Sequence, residues 1–517
     1  MKDGHGQRRW ERLPADERAM KGLEMKKVKQ EPEARRWWTL VVILAATFMA
    51  ILDNNIVNVA IPSIQQALRA DFAQIEAVIA GYALAYAVML VTGGRLGDLY
   101  GRKRLFQTGM LGFTLASLLC GLSPTAFVLI AARLLQGLAA SLMVPQVLAL
   151  IQVNFVARER GIAFGFYGAT FGLASIAGQI VGGFLISSNA FGLGWRTVFL
   201  INVPIGLLTM LAAFPLLRES TADTARRLDL PGVGLLTAGL LLLVYPLVEG
   251  RNVGWPSWTF ISMVLAVGVL ALFLLYEQRV SRSGGEPLVP LSLFRERVFN
   301  LGMVTLLVFY SGLSSFFFVL SLYLQIGLGF SPLAAGWTFV PLSLSFAISS
   351  LASPRLIPRL GAWVVRGGTI IMITGDLWTL LVVQQAEMAV HAQPLLLPFL
   401  VMGIGEGMVL APLLPMILGS IHTQHAGAAS GVLTTTMQIA GVLGVAVIGL
   451  LFFGVLGQRL PAQPLQLAQT YGHAFVISLE AIILLAGMTL ICIIVLSSAK
   501  RAGKSEPVRT SSSKTAV

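Results

Sequence analysis

Residues 75–105 read IEAVIAGYALAYAVMLVTGGRLGDLYGRKRL. Over 75–94 the only charge is Glu76, near one edge. At 1.5 Å per residue, a helix of that length crosses a hydrocarbon core about 30 Å thick. Arg95, Arg102, Lys103 and Arg104 follow at once, with Asp98 among them. An apolar span that ends in a basic loop reads as a transmembrane helix whose basic end stays in the cytoplasm.

The same reading extends outward in both directions. Apolar runs of span length recur fourteen times, the first over 39–61 and the last over 474–497. Of the 517 residues, 56% are hydrophobic and 12% charged, against roughly 25% charged in soluble domains. So few charges cannot cover a surface that faces water. The expected fold is an all-α membrane protein with fourteen transmembrane helices.

The net charge of +13 is explained by where it sits. Tails and alternate loops hold 32 of the 37 Lys and Arg, the other loops hold four, and Arg133 lies inside a span. This bias predicts a multi-pass membrane protein with both termini in the cytoplasm, and it removes the case for nucleic acid as a partner. Residues 1–36 mix 11 basic with 7 acidic side chains and have no apolar core, so they read as a tail and not as a cleavable signal.

The expected organisation is a tail over 1–38, a six-helix bundle over 39–217, an inserted helix pair and linker over 218–298, a second six-helix bundle over 299–497, and a tail over 498–517. The two bundles read as parallel repeats. Within the second, ASPRLIPRLGAW (352–363) is a decayed counterpart of the loop quoted above. Cys120 and Cys492 both lie in apolar runs, and of the five His only His422 and His425 are close together. No metal-ligand spacing, nucleophile cluster or phosphate-binding loop of the form G-x4-G-K-S/T is present, so no cofactor, metal or direct use of ATP is expected.

Ionisable residues within spans mark function by default, because each must find a partner or water. Asp53 lies in ILDNNIVNVAIP (51–62), about 21 Å along its helix from residue 39 and far from either membrane face. Arg133 lies in IAARLLQGLAASLMVP (130–145), where spacings of three and four put Gln136, Gly137, Ala140 and Ser141 on its face. Glu406 lies among glycines in MGIGEGMVLAP (402–412). Asp98 can pair with a nearby Arg or cap a neighbouring helix end. Gly165, Gly178, Gly182 and Gly183 in helix 5, with Gly137, offer small surfaces for close helix packing.

Over about 37–497 these elements resemble the major facilitator superfamily, specifically its fourteen-helix drug:proton antiporter family of the multidrug efflux type. Gly94, Leu96, Asp98, Gly101, Arg102 and Lys103 match the family's inner-loop pattern. Asp53, Asn58, Ala60 and Pro62 match its helix 1 signature, and Arg133, Gln136 and Gly137 its helix 4 element. The chain departs from the family at Asn55 (usually Thr), at Ala174 and Gln179 (Gly and Pro in the antiporter motif) and at Thr197 (usually Trp).

The resemblance implies alternating access, with Gly94, Asp98, Gly101, Arg102 and Lys103 as a conformational latch. It also implies that helices 1, 4, 9 and 12 line one aqueous chamber, where Asp53, Arg133 and Glu406 serve proton coupling or substrate binding. Tyr310, Ser311, Ser314, Ser315, Phe316 and Phe317 of helix 9 suit apolar or cationic ligands but equally suit packing. Asp376 and Glu480 fall on helices expected to be peripheral and read as structural. The partners implied are a small-molecule substrate, protons and the lipid bilayer; a periplasmic adaptor leaves no readable trace.

The function the resemblance implies is proton-coupled efflux of small amphipathic drugs or toxic metabolites across a bacterial cytoplasmic membrane. At about 2.3 kcal/mol per charge per 100 mV and about 1.4 per pH unit, one proton sustains a gradient of several hundred-fold. The alternatives are a facilitator-type importer or narrow-substrate metabolite exporter and, from another class, a membrane-embedded enzyme or receptor.

Overall fold

The computed structural model describes residues 33–189, 192–222, 228–250, 253–385, 393–456 and 464–505. Among these, fourteen helices are long and apolar enough to cross a membrane, and no strand occurs. In lipid every backbone N–H and C=O must be satisfied within the chain, and helices do this locally.

The helices are α1 (Glu33–Leu68), α2 (Phe72–Tyr100), α3 (Arg102–Leu122), α4 (Ala126–Asn154) and α5 (Ala157–Ser188). Helix α6 is the span Gly194–Leu216, which opens with short turns before its main helix, Asn202–Leu216. Then come α7 (Leu230–Glu249), α8 (Ser257–Arg282), α9 (Arg297–Leu322), α10 (Pro332–Leu360), α11 (Trp363–Gln385), α12 (Gln393–Leu418), α13 (Ala426–Leu456) and α14 (Pro464–Ser505).

Several helices outrun their apolar cores. Helix α1 begins six residues before residue 39, because the basic residues there find partners: Arg35 donates to Pro215 O at 2.7 Å and Arg36 pairs with Glu159 at 2.7 Å. Helix α2 starts on a reciprocal cap, in which Asp71 accepts from Gln74 N and the Gln74 side chain accepts from Asp71 N. Helix α5 is unbroken through position 179, where the family pattern has Pro.

The packing repeats with an offset of eight helices. Helix α2 packs on α4, α3 on α4, α1 on α5 and on α6, and α3 on α6. The same partnerships recur as α10 on α12, α11 on α12, α9 on α13 and on α14, and α11 on α14. The two groups of six meet through α5 against α10 and α2 against α13, contacts that exchange under the same offset. This is a pseudo-twofold relation between parallel repeats. Helices α7 and α8 pair with each other, and only α7 reaches α2 and α13 by more than a few residues.

Candidate transport site

Three arrangements of buried ionisable side chains are candidates for transport, beginning with Asp53; Glu277, buried on α8, stands apart from them and accepts from Leu288 N and Val289 N. Asp53 is fully buried and its carboxylate is saturated. One oxygen accepts from Arg133 Nη1; the other accepts from Gln136 Nε2 at 2.8 Å and Asn202 Nδ2 at 2.9 Å. Arg133, 1% exposed, also donates to Gln136 Oε1 at 2.7 Å and to Val78 O at 3.1 Å. Gln136 extends the network to Ser117 Oγ at 2.8 Å. Helices α1, α2, α3, α4 and α6 therefore converge on one ion pair. Its desolvation is offset by the multiple charge-assisted bonds that such pairs require.

The guanidinium lies 4.2 Å from the Tyr82 ring centroid, a cation–π contact. Tyr82 is also a wall of the central cavity, about 270 Å³ in volume, which lies between the two groups of helices. Asn54, Asn55, Tyr86, Tyr167 and Phe171 line it from the first group, and Tyr310, Thr434, Met437 and Gln438 from the second. None of the residues around it carries a formal charge. The ion pair thus sits one side chain behind the wall of an aromatic, amide-bearing chamber. Of the helix 9 candidates only Tyr310 faces the chamber. Ser311 donates to Ala440 O at 2.9 Å, and Phe316 is buried against Phe317, Phe399 and Phe475.

Glu406 is elsewhere. The single chamber expected for Asp53, Arg133 and Glu406 is not what the fold builds: Glu406 lines a separate pocket with Asp376, enclosed by α9, α11, α12 and α14. The reason is rotational. Gly403 and Gly407 press against α10, where a Cβ would come within 2.1 Å of Leu342 O and of Ser349 Oγ respectively, and this orientation turns residue 406 toward α11. Glu480 is exposed on α14 and joins neither group.

The third arrangement is at the face bearing the basic loops. Asp98, fully buried, accepts from Gly427 N at 3.0 Å and Ala428 N at 2.9 Å, the first turn of α13, and from Arg102 Nη2 at 2.6 Å. A carboxylate at a helix N-terminus satisfies orphan N–H groups and meets the positive end of the helix dipole. Arg102 also donates to Thr423 O at 3.2 Å. A Cβ at Gly94 would come within 2.3 Å of Gly427 O, so the two helix backbones touch there. Gln152 adds a bond to Leu418 O at 2.7 Å. The two groups of helices are closed on each other at this face.

Gly101 and Lys103 have different partners. Gly101 holds a φ of +107° under Glu219, whose carboxylate accepts from Lys103 N and Arg104 N; Lys103 Nζ donates to Phe214 O at 2.7 Å. They fasten α3 to the end of α6 within the first group. Among the packing glycines, a Cβ at Gly137, Gly165, Gly178 or Gly182 would lie within 2.4, 2.7, 2.6 and 2.7 Å of neighbouring helices, but at Gly183 the nearest atom is 3.4 Å away.

Asn202, Glu219, Gln152 and Gly427 were not singled out from the sequence. Asn202 is a polar residue within an apolar span and was legible on that ground. Gln152, near the end of its apolar span, was legible on the same ground; Glu219 and Gly427 carry no local signal.

A transporter is the class of protein that these features define: paired helix groups, a chamber between them and a buried ion pair at its wall. The sequence profile of the Major Facilitator Superfamily matches residues 43–445, and the chain belongs to that family. It is 42% identical to the probable actinorhodin transporter of Streptomyces coelicolor, over 83% of this chain and 75% of that protein. It is 37% identical to the puromycin resistance protein pur8 of Streptomyces alboniger, over 81% and 82%. With the tetracenomycin C resistance and export protein of Streptomyces glaucescens the identity is 33%, over 83% and 78%. The crystal structure of the human organic anion transporter MFSD10 (TETRAN) superposes with a TM-score of 0.62 at 15% identity, covering 90% of this chain and all of that one, which shows the shared fold.

Proposed function

We propose that the protein exports small amphipathic molecules with aromatic surface from a bacterial cytoplasm, driven by protons that load Asp53. The observation that carries this is the Asp53–Arg133 pair set directly behind Tyr82 in the cavity wall. An uncharged chamber of tyrosines and amides suits neutral or weakly polar aromatic ligands, held by stacking and single hydrogen bonds. Export is supported by the relatives named for export or resistance, and the basic face is assigned to the cytoplasm by the positive-inside bias.

Coupling follows from charge. While Asp53 is ionised, Arg133 is compensated; a proton on Asp53 leaves a buried cation without its counter-ion, which costs several kcal/mol. The guanidinium then gains by turning to water, to another acceptor or to the substrate chamber through Tyr82. A conformation that offers this is favoured by the proton alone, and that differential is what population shift requires. Asp98 and Arg102 hold the cytoplasmic face shut in the conformation described above, as a latch between α2 and α13.

Purified protein in vesicles with an internal pH dye tests this. Substrate added to wild type should move protons, and Asp53→Asn should not, while ligand binding to the chamber is retained. Proton movement at the wild-type rate in Asp53→Asn would remove Asp53 from the mechanism. Uptake by inverted membrane vesicles fixes the direction; accumulation in right-side-out vesicles would favour an importer.

A further inference from the structure

The mechanism above leaves one pair of buried acids unused. Asp376 on α11 and Glu406 on α12 are each 1% exposed and share a pocket of about 20 Å³. Asp376 Oδ1 and Glu406 Oε2 have no hydrogen-bond partner. The juxtaposition is built by the residue before each acid. A Cβ at Gly375 would lie 2.6 Å from Met402 N, and one at Gly405 would lie 2.3 Å from Met372 N, so the two helix backbones run in direct contact beside the carboxyls.

The pocket supplies no counter-charge. From α9 it receives Val308, Phe309, Gly312 and Phe316, and from α14 Ile482, Ala486 and Thr489. The Thr489 hydroxyl is committed to Leu485 O at 2.9 Å. Arg366, the basic residue on α11, is about 15 Å along the helix and donates to Ser497. Two carboxylates in such a place would each bear the full cost of burial and would also repel one another. A metal ion or sodium is disfavoured, because hard cations need about six oxygen ligands and the lining offers two carboxyls among apolar side chains. The volume suits one water molecule.

We infer that Asp376 and Glu406 form a second proton-binding site, a carboxyl pair that shares an exchangeable proton apart from both the Asp53 network and the substrate chamber. Helix α9 is the common wall: Tyr310 faces the chamber while its neighbours Val308 and Phe309 face the acids. Proton occupancy on one side of α9 is thereby placed next to ligand occupancy on the other. The binding of a proton here is independent of Asp53; its use in transport rests on the proton-coupled function proposed above.

Infrared difference spectroscopy on the purified full-length protein, titrated with pH in the absence of substrate, tests the site directly. Asp53, Asp98 and Glu277 are buried as well, so the signal read is the difference between wild type and each variant, from which their common contribution cancels. The expected result is a protonated-carboxyl C=O band that is lost in Asp376→Asn/Glu406→Gln and is weakened and shifted in titration midpoint in either single variant. Since Asn and Gln imitate the neutral groups, the double variant should fold; the two single variants decide the question if it does not. A band of unchanged intensity in the double variant would overturn the inference. So would radioactive sodium binding that wild type shows and the double variant loses, since the pocket would then be a cation site.

Discussion

The two halves of this protein pair their helices alike yet treat their buried acids in opposite ways. In the first half Asp53 receives bonds from three side chains, one of them a full positive charge. In the second half Asp376 and Glu406 face each other across an apolar pocket with no cation. The inner loops diverge too: Asp98 caps α13, whereas the corresponding position of ASPRLIPRLGAW is Pro358, which has no acceptor side chain to offer α5. A common architecture thus holds one charged site that is expensive to break and one neutral site that is cheap to imitate.

The largest effect should come from cutting the charged site on its cationic side. Arg133→Ala strands Asp53 without its counter-ion and should cost about 3–5 kcal/mol of stability, read as a fall in the melting midpoint of detergent-purified protein, with transport abolished. Arg133→Lys retains the charge but loses the planar fork that serves Val78, Gln136 and Asp53 together. It should fold better than the Ala variant and still transport poorly; full turnover would reduce Arg133 to a simple charge.

Next in size is Asp53→Asn, which strands Arg133 in turn. Its stability loss should be largely recovered in Asp53→Asn/Arg133→Gln, while proton coupling stays absent in both. Thermal unfolding with parallel proton-flux assays separates the two readouts. If the double variant is no more stable than Asp53→Asn, the ion pair is not what the fold depends on there.

At the inner loop, Asp98→Asn keeps one acceptor but sets an amide N–H against the donors of Gly427 or Ala428. Transport should drop about tenfold or more, equivalent to the loss of one charged hydrogen bond of about 1.5–3 kcal/mol, with ligand binding retained. Gly94→Ala acts on the same closure by sterics, and cysteine labelling from the cytoplasmic side should show the face held open. Equal loss of binding and transport in folded Asp98→Asn would contradict a latch.

The smallest effects belong to the neutral site and to loose glycines. Asp376→Asn and Glu406→Gln should each cost no more than about 1 kcal/mol of stability, read as a small shift of the melting midpoint, in contrast to the Asp53 and Arg133 variants. A loss as large as that of Arg133→Ala would show that a charge resides in the pocket. Gly183→Ala, with its nearest neighbour at van der Waals distance, should be silent in both stability and transport.

The number of spans and the family were legible in the sequence because hydropathy and motif spacing are local quantities that lipid and water read residue by residue. Asp53 and Arg133 were legible as singular residues for the same reason. Which residues meet was decided by the tertiary structure. Each step along a helix turns a side chain by about 100°, so a small difference in how α12 packs against α10 and α11 determines whether Glu406 looks into the central chamber or toward Asp376. Sequence depth placed Glu406 and Asp53 at similar levels in the membrane, but only the packing of Gly375 and Gly405 gave Glu406 a second acid for a neighbour, and only the convergence of α1, α4 and α6 gave Asp53 its arginine and Asn202.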